Sequence, residues 1–73
     1  MNLAAKVRAK RDLPPPEVRR ALRIAAGVSQ KDIGAELGVT RAAVSRWESG
    51  DRVPRDETLQ GYVKILRSLQ GRL

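Results

Sequence analysis

Residues 29–50 read SQKDIGAELGVTRAAVSRWESG, and this stretch predicts two short helices with a tight turn between them. Ser29 and Asp32 have the spacing of a capping box, in which each side chain accepts a hydrogen bond from the other residue's backbone N–H. A helix is therefore expected over residues 30–37, and Gly38 suits the left-handed conformation in which helices commonly end. The residues expected to face the core, or to be small enough for a close helix crossing, are Ile33, Gly34, Ala35, Leu37 and Val39.

The second helix is expected to begin after Thr40, a favoured N-cap residue, and to end at Gly50. Val44 and Trp47 lie three positions apart, which places them on one face of that helix. We expect this face to be buried; the alternative, in which Trp47 stacks on an unpaired base, requires an exposed ring. The outward positions are then Arg41, Ala42, Ser45, Arg46 and Ser49.

The segment before this unit predicts a first core helix. Proline suits the first helical turn, so the helix is expected to begin at Pro15 or Pro16, and Gly27 is expected to end it. The predicted buried stripe consists of Val18, Ala21, Leu22, Ile24 and Ala25. The residues expected to lie outside the stripe are Arg19, Arg20 and Arg23.

The segment after this unit predicts a loop pinned by Pro54 and a last helix over residues 56–70. That helix carries two neighbouring apolar stripes, one of Leu59, Val63 and Leu66 and the other of Tyr62, Ile65 and Leu69. One small core is not expected to bury both stripes. The surplus predicts a contact either with a second copy of the chain or with the N-terminal segment, and the sequence leaves both open.

The chain has 73 residues, a formal net charge of +7 and a pI near 11.1, so it is expected to attract polyanions. Nucleic acid fits this charge first, and an anionic membrane second. No apolar run approaches the roughly 20 residues of a membrane span, and the N-terminus lacks the apolar segment of a secretory signal. We expect one small, soluble, cytoplasmic domain.

The composition argues against an enzyme. The chain has no cysteine and no histidine, which removes disulfides, thiolate metal sites, cysteine nucleophiles and the commonest general base. Asp32 and Glu36 lie four positions apart, but nothing in the sequence organises them into a catalytic pair. Asp32 is better explained as a helix-start residue. We therefore expect no catalytic residue, no metal and no cofactor.

Residues 3–11 form a basic segment of helix-forming composition, which the prolines at positions 14–16 stop. Leu3 and Val7 lie four apart and give it a thin apolar face. Its basic residues are Lys6, Arg8, Lys10 and Arg11. Three interpretations are open: an arm that contacts DNA, a helix packed on the domain with its basic side near phosphates, or a helix on a membrane surface. The last is the weakest, because the apolar face is so small.

Residues 19–59 resemble the lambda-repressor-like, or Cro/repressor-type (XRE), helix-turn-helix domains. The matching residues are Arg23, Ser29-Gln30, Ile33-Gly34, Leu37-Gly38-Val39, Val44-Ser45, Trp47-Glu48-Ser49-Gly50 and Pro54. The resemblance implies an all-α fold of four core helices, to which this chain adds a short N-terminal helix. Accordingly, residues 1–13 are expected to form a basic helix or arm and residues 14–73 the helix-turn-helix domain.

The resemblance also implies roles for individual residues. The positions where the family reads bases are Arg41, Ala42, Ser45 and Arg46. The positions near the DNA backbone are Gln30, Thr40, Ala43, Arg52 and Arg55. An ion pair between Arg23 and Glu48 is expected to orient the second helix of the unit, and Gln30 is expected to buttress it.

The expected function is sequence-specific binding of double-stranded DNA by a transcriptional regulator, most simply a Cro-like or repressor-type protein of a phage or bacterium acting at the nucleoid. A homodimer on a pseudo-palindromic operator would suit the family. The alternative is an antitoxin that represses its own operon and also binds a toxin partner. A membrane-active cationic protein is the third and weakest interpretation.

Overall fold

The computed structural model describes residues 3–72, which form five α-helices and no strand. The helices are α1 (Leu3–Asp12), α2 (Pro16–Ala25), α3 (Gln30–Leu37), α4 (Arg41–Ser49) and α5 (Asp56–Gln70). The predicted all-α fold of four core helices with a short N-terminal helix is confirmed. Among the described helices, none has the length and apolarity that crossing a membrane requires.

The turn between α3 and α4 is built by local hydrogen bonds. The Asp32 N–H donates to the Ser29 hydroxyl at 2.9 Å, and the Ser29 N–H donates to the Asp32 carboxylate at 3.1 Å. The bond from the Ser29 N–H to the Asp32 carboxylate lowers the pKa of Asp32 below its ordinary value. Gly38 adopts the left-handed conformation with φ of 70°, and the Val39 N–H then donates to the Gly34 carbonyl at 2.8 Å. The predicted capping box and left-handed turn are confirmed.

The second helix of the unit is fixed at both ends. The Thr40 hydroxyl accepts a hydrogen bond from the Ala43 N–H at 3.1 Å, and Gly50 ends the helix with φ of 82°. Val44 and Trp47 are buried, as the three-residue spacing predicted. They pack with Ile33 and with α5 in the main cluster of the core.

The predicted buried stripe of α2 is wrong except for Leu22, which packs against the main cluster. Ile24 is 53% exposed, while Arg19, predicted to lie outside the stripe, is only 7% exposed. The other members of the stripe that the structure exposes are Val18, Ala21 and Ala25. The helix is rotated relative to the predicted orientation, and its inward face consists of Arg19, Leu22 and Arg23. The two arginines can face inward because their guanidinium groups bond to Trp47 and Glu48 of α4.

Helix α5 buries both of its apolar stripes, contrary to the expectation that one small core could not. Its buried residues are Leu59, Tyr62, Val63, Leu66 and Leu69. Leu59 and Val63 pack in a second cluster with Ala9 of α1, and Leu13 lies against both clusters. The N-terminal helix therefore covers the surplus apolar surface, which was one of the two expected outcomes.

Helix α1 packs on α5 through a face other than the predicted one. Ala9 is 6% exposed, whereas Leu3 is 77% exposed and Val7 also faces solvent. The predicted apolar face of Leu3 and Val7 is therefore wrong. Ala9, rather than either longer side chain, packs with Leu59 and Val63 of α5.

Gly34 lies where α3 crosses the turn that leads to α4, and a side chain there has no room. A Cβ atom on Gly34 would lie 2.7 Å from the Val39 carbonyl oxygen and 3.3 Å from the Thr40 carbonyl carbon. Alanine normally stabilises a helix interior by about 1 kcal/mol over glycine. Here we expect Gly34→Ala to lower the free energy of unfolding by about 1–3 kcal/mol, because backbone atoms must move.

Urea unfolding followed by circular dichroism measures this change, and Gly71→Ala is the matched control. At Gly71 the added Cβ would meet the Ser68 carbonyl oxygen at an ordinary 3.5 Å, in a right-handed backbone conformation with φ of −65°. The control is expected to be neutral or slightly stabilising. A Gly34→Ala protein as stable as the wild type would show that the crossing is looser than the structure has it.

Candidate nucleic-acid interface

Helix α4 presents one face to solvent and the opposite face to the core. All four residues predicted to read bases are exposed: Arg41, Ala42, Ser45 and Arg46. In the described part of the chain, the ion pairs involve none of these side chains. The two guanidinium groups and the Ser45 hydroxyl are therefore available to a ligand, while Val44 and Trp47 hold the helix from behind.

Trp47 anchors α4 to α5. Its ring lies 4.8 Å from the Tyr62 ring, centroid to centroid, at an angle of 48° between the ring planes. Tyr62 is fully buried, and burial, helped by the nearby charge of Glu48, raises the pKa of its hydroxyl to about 12. The tryptophan is thus part of the core, and the alternative of a base-stacking residue is wrong.

Glu48 bonds α4 to the two helices that precede it in the chain, α2 and α3. Its carboxylate accepts from the Arg23 guanidinium of α2 at 2.5 and 2.9 Å, and from the Gln30 side-chain amide of α3 at 3.1 Å. The Glu48 side chain is only 3% exposed. Burial disfavours its charged form, but the hydrogen bonds from Arg23 and Gln30 outweigh burial and hold the pKa of Glu48 below its ordinary value.

The bidentate geometry fixes the orientation of α4 as well as its position. Two parallel N–H···O bonds from one guanidinium allow little rotation of the carboxylate. The hydrogen bond with Glu48 raises the pKa of Arg23, so the pair stays charged over the ordinary pH range. Arg23 also donates to the Val28 carbonyl at 3.1 Å, which ties the end of α2 to the same point.

Arg19 is a positioning residue that the sequence interpretation missed. Its guanidinium donates to the Trp47 carbonyl at 2.9 Å and to the Pro14 carbonyl at 2.6 Å. It thereby links the C-terminal half of α4 to the segment that precedes α2. Burial lowers its pKa, although an arginine stays charged under ordinary conditions. The available signal was its spacing of four from Arg23, which puts both on one helix face.

Four of the five residues predicted to lie near a DNA backbone are in α4 or bonded to it, and Arg55 is the exception. Thr40 and Ala43 lie in its first turn, and Gln30 begins the adjoining helix α3. Arg52 follows its C-terminus, where the Arg52 N–H donates to the Arg46 carbonyl at 3.3 Å. Arg55 lies further away, beyond the buried Pro54, beside Lys6 and Lys10 of α1.

A sequence profile of one protein family, described as helix-turn-helix, matches residues 20–70, which is more than half of the chain. Searches of curated proteins and of solved structures found no match. The matched range contains the whole α3–turn–α4 unit and the Arg23 and Glu48 pair that holds it. The chain therefore belongs to the helix-turn-helix family of the XRE, or lambda-repressor-like, type, whose members are DNA-binding regulators of transcription.

Proposed function

We propose that the chain is a sequence-specific regulator that binds a short double-stranded operator through α4, most simply as a Cro-like repressor acting on the nucleoid of a phage host or bacterium. The observation that carries this proposal is the two-sided character of α4. Its outward face holds exposed arginine and small residues, and its inward face is buried and bonded to α2 and α3. A helix held in this way can enter a major groove and contact base edges in a fixed orientation.

The four outward residues suit different base edges. Arg41 and Arg46 each carry a guanidinium that can donate two hydrogen bonds to O6 and N7 of guanine. Ala42 presents a methyl group to the methyl of thymine, and the Ser45 hydroxyl can donate or accept at several bases. Two arginines in this set favour an operator that contains guanine in each half-site.

The residues around α4 suit the phosphate backbone. Gln30 gives one amide N–H to Glu48 and keeps a second N–H for a phosphate oxygen. The Ala43 N–H is occupied by the Thr40 cap and its half-buried methyl group packs against the core, so we assign Ala43 a place beside the sugar–phosphate chain without a polar contact of its own. Arg52 and Arg55 add charge from the loop after α4, which positions the protein without reading sequence.

A homodimer on a pseudo-palindromic site completes the proposal. One α4 covers only a few base pairs, so two copies with half-sites about one helical turn apart would raise both affinity and specificity. The net charge of +7 would draw each copy onto DNA before the bases are read.

Selection of bound sequences from random duplex DNA tests this proposal. The expected result is enrichment of one guanine-containing motif, repeated with inverted orientation at a spacing of about 10 base pairs. Enrichment of a single unrepeated motif would contradict the dimer. Retention of DNA with no enrichment at all would contradict sequence-specific binding. Copurification of a stoichiometric protein whose toxicity this chain neutralises would favour the antitoxin alternative over a simple repressor.

A further inference from the structure

Helix α1 lies outside the range that the family profile matches, and it has two basic flanks. Ala9 lies at the middle of the face that packs on α5. Lys6 and Lys10 are on one flank, beside the loop that follows α4, where they share a surface depression with Pro54, Arg55 and Leu59. This flank therefore borders the loop that joins α4 to α5.

The opposite flank is also basic but faces the middle of α5. Arg8 lies beside Gln60, Lys64 and Arg67, along the middle of α5. Lys64 is eight positions beyond the first residue of α5, which is about 12 Å along the helix axis from the loop after α4. Both flanks are thus positively charged, but the flank with Lys6 and Lys10 lies nearer the loop after α4 than the flank with Arg8 does.

Two ion pairs dock α1 in this orientation. Lys6 Nζ lies 3.4 Å from an Asp56 carboxylate oxygen at the start of α5, and an Arg67 nitrogen lies 3.1 Å from Asp12 at the end of α1. The four side chains are largely exposed, so these pairs contribute little energy. They nevertheless restrict how α1 can rotate on α5, since Ala9 is buried between them.

We propose that α1 is a second phosphate-binding element, in which Lys10, with Lys6 and Arg55, binds the DNA backbone beside the base pairs that α4 reads. This inference rests on the proposed function. Lys6 and Lys10 are one helical turn apart, about 6 Å along the axis, and Arg55 faces the same depression. Three cations around a single carboxylate, that of Asp56, leave an excess of positive charge which a polyphosphate backbone can neutralise.

Lys10→Ala tests the assignment, and Arg8→Ala is its matched control. Each variant removes one positive charge from an exposed position of the same helix. Lys6 is less suitable, since its loss would also remove the ion pair with Asp56. Lys10→Gln is a second variant that keeps the length of the side chain. Thermal unfolding of all three variants shows whether α1 stays folded.

The measurement is the dissociation constant as a function of salt, on the selected duplex and on an unrelated duplex of equal length. Lys10→Ala and Lys10→Gln are expected to weaken binding to both duplexes about three- to tenfold at low salt. They should also reduce the slope of log K against log salt by about one, as loss of one phosphate contact does. Arg8→Ala is expected to change the slope by much less.

Equal effects of Lys10→Ala and Arg8→Ala on both duplexes, or no effect of either, would overturn the role of α1. The failure of the proposed function looks different. In that case, the wild type would bind the two duplexes equally and Arg46→Ala would change nothing. The salt slopes on the unrelated duplex would still report whether Lys10 contacts phosphate.

Discussion

Trp47→Ala is expected to lower the free energy of unfolding by about 3–5 kcal/mol, the usual cost of truncating a buried tryptophan. Trp47 packs against Tyr62 and belongs to the cluster that joins α3, α4 and α5. Alanine would leave a large cavity at the point where these helices meet. Small domains are stabilised by only about 0.05–0.15 kcal/mol per residue, so the loss would remove a large part of the total stability of this chain.

Far-UV circular dichroism during heating measures the effect, because the variant lacks the tryptophan needed for fluorescence. A loss of this size corresponds to a melting temperature lower by roughly 12–40 °C in a domain this small. Trp47→Phe keeps an aromatic ring against Tyr62 and should lose less stability. Ser45→Ala, on the exposed face of the same helix, should melt within a few degrees of the wild type. A Trp47→Ala protein as stable as the wild type would contradict the role of Trp47 as the anchor of α4 in the core.

The helix-turn-helix unit could be predicted from sequence because its determinants are local. The Ser29 and Asp32 box, the Thr40 cap and the left-handed Gly38 each act within four residues, so their spacing in the chain is their spacing in space. The need for a small residue at Gly34 is also local, because the turn that it contacts follows a few residues later in the chain.

The rotation of α2 could not be predicted from apolar periodicity. Arginine at position 19 looks like a surface residue, yet its partners are carbonyls of Pro14 and Trp47, and Trp47 lies 28 positions away. Burial of a charged side chain is tolerated when its donors are satisfied, and here distant backbone supplies the acceptors. The apolar residues of α2 other than Leu22 then face solvent, with Ile24 the clearest case.

The face through which α1 packs on α5 could not be predicted from its hydrophobicity pattern. Leu3 and Val7 carry more apolar surface than Ala9, but Ala9 is the residue that packs with Leu59 and Val63. Similarly, both stripes of α5 are buried because α1 supplies a second cover. Outward exposure of the reading face of α4 was predictable, whereas the contacts that it makes with DNA depend on the duplex and stay predictions.

Arg41→Ala and Arg46→Ala are each expected to weaken binding to the selected duplex by about 5- to 150-fold while leaving thermal stability nearly unchanged. The binding estimate is the 1–3 kcal/mol typical of a bidentate contact with guanine. Stability should hold because the structural bonds at Arg46 are made by its backbone carbonyl, which accepts from Asp51 and Arg52 and is kept by alanine. Both side chains are exposed, where substitutions usually change stability by less than about 0.5 kcal/mol.

Repeating the selection with each variant separates base reading from charge. Loss of a guanine contact should relax the motif at one position of each half-site, and binding to unrelated DNA should weaken far less. Lys64→Ala removes the same charge from the exposed side of α5 and should leave the motif intact. If Arg41→Ala and Arg46→Ala instead weaken all sequences equally, the two arginines bind phosphate, and the specificity must come from Ala42, Ser45 or the shape of the DNA. If both variants bind like the wild type, the assignment of α4 as the reading helix is wrong, because the contacts assigned to its two arginines would contribute nothing to binding.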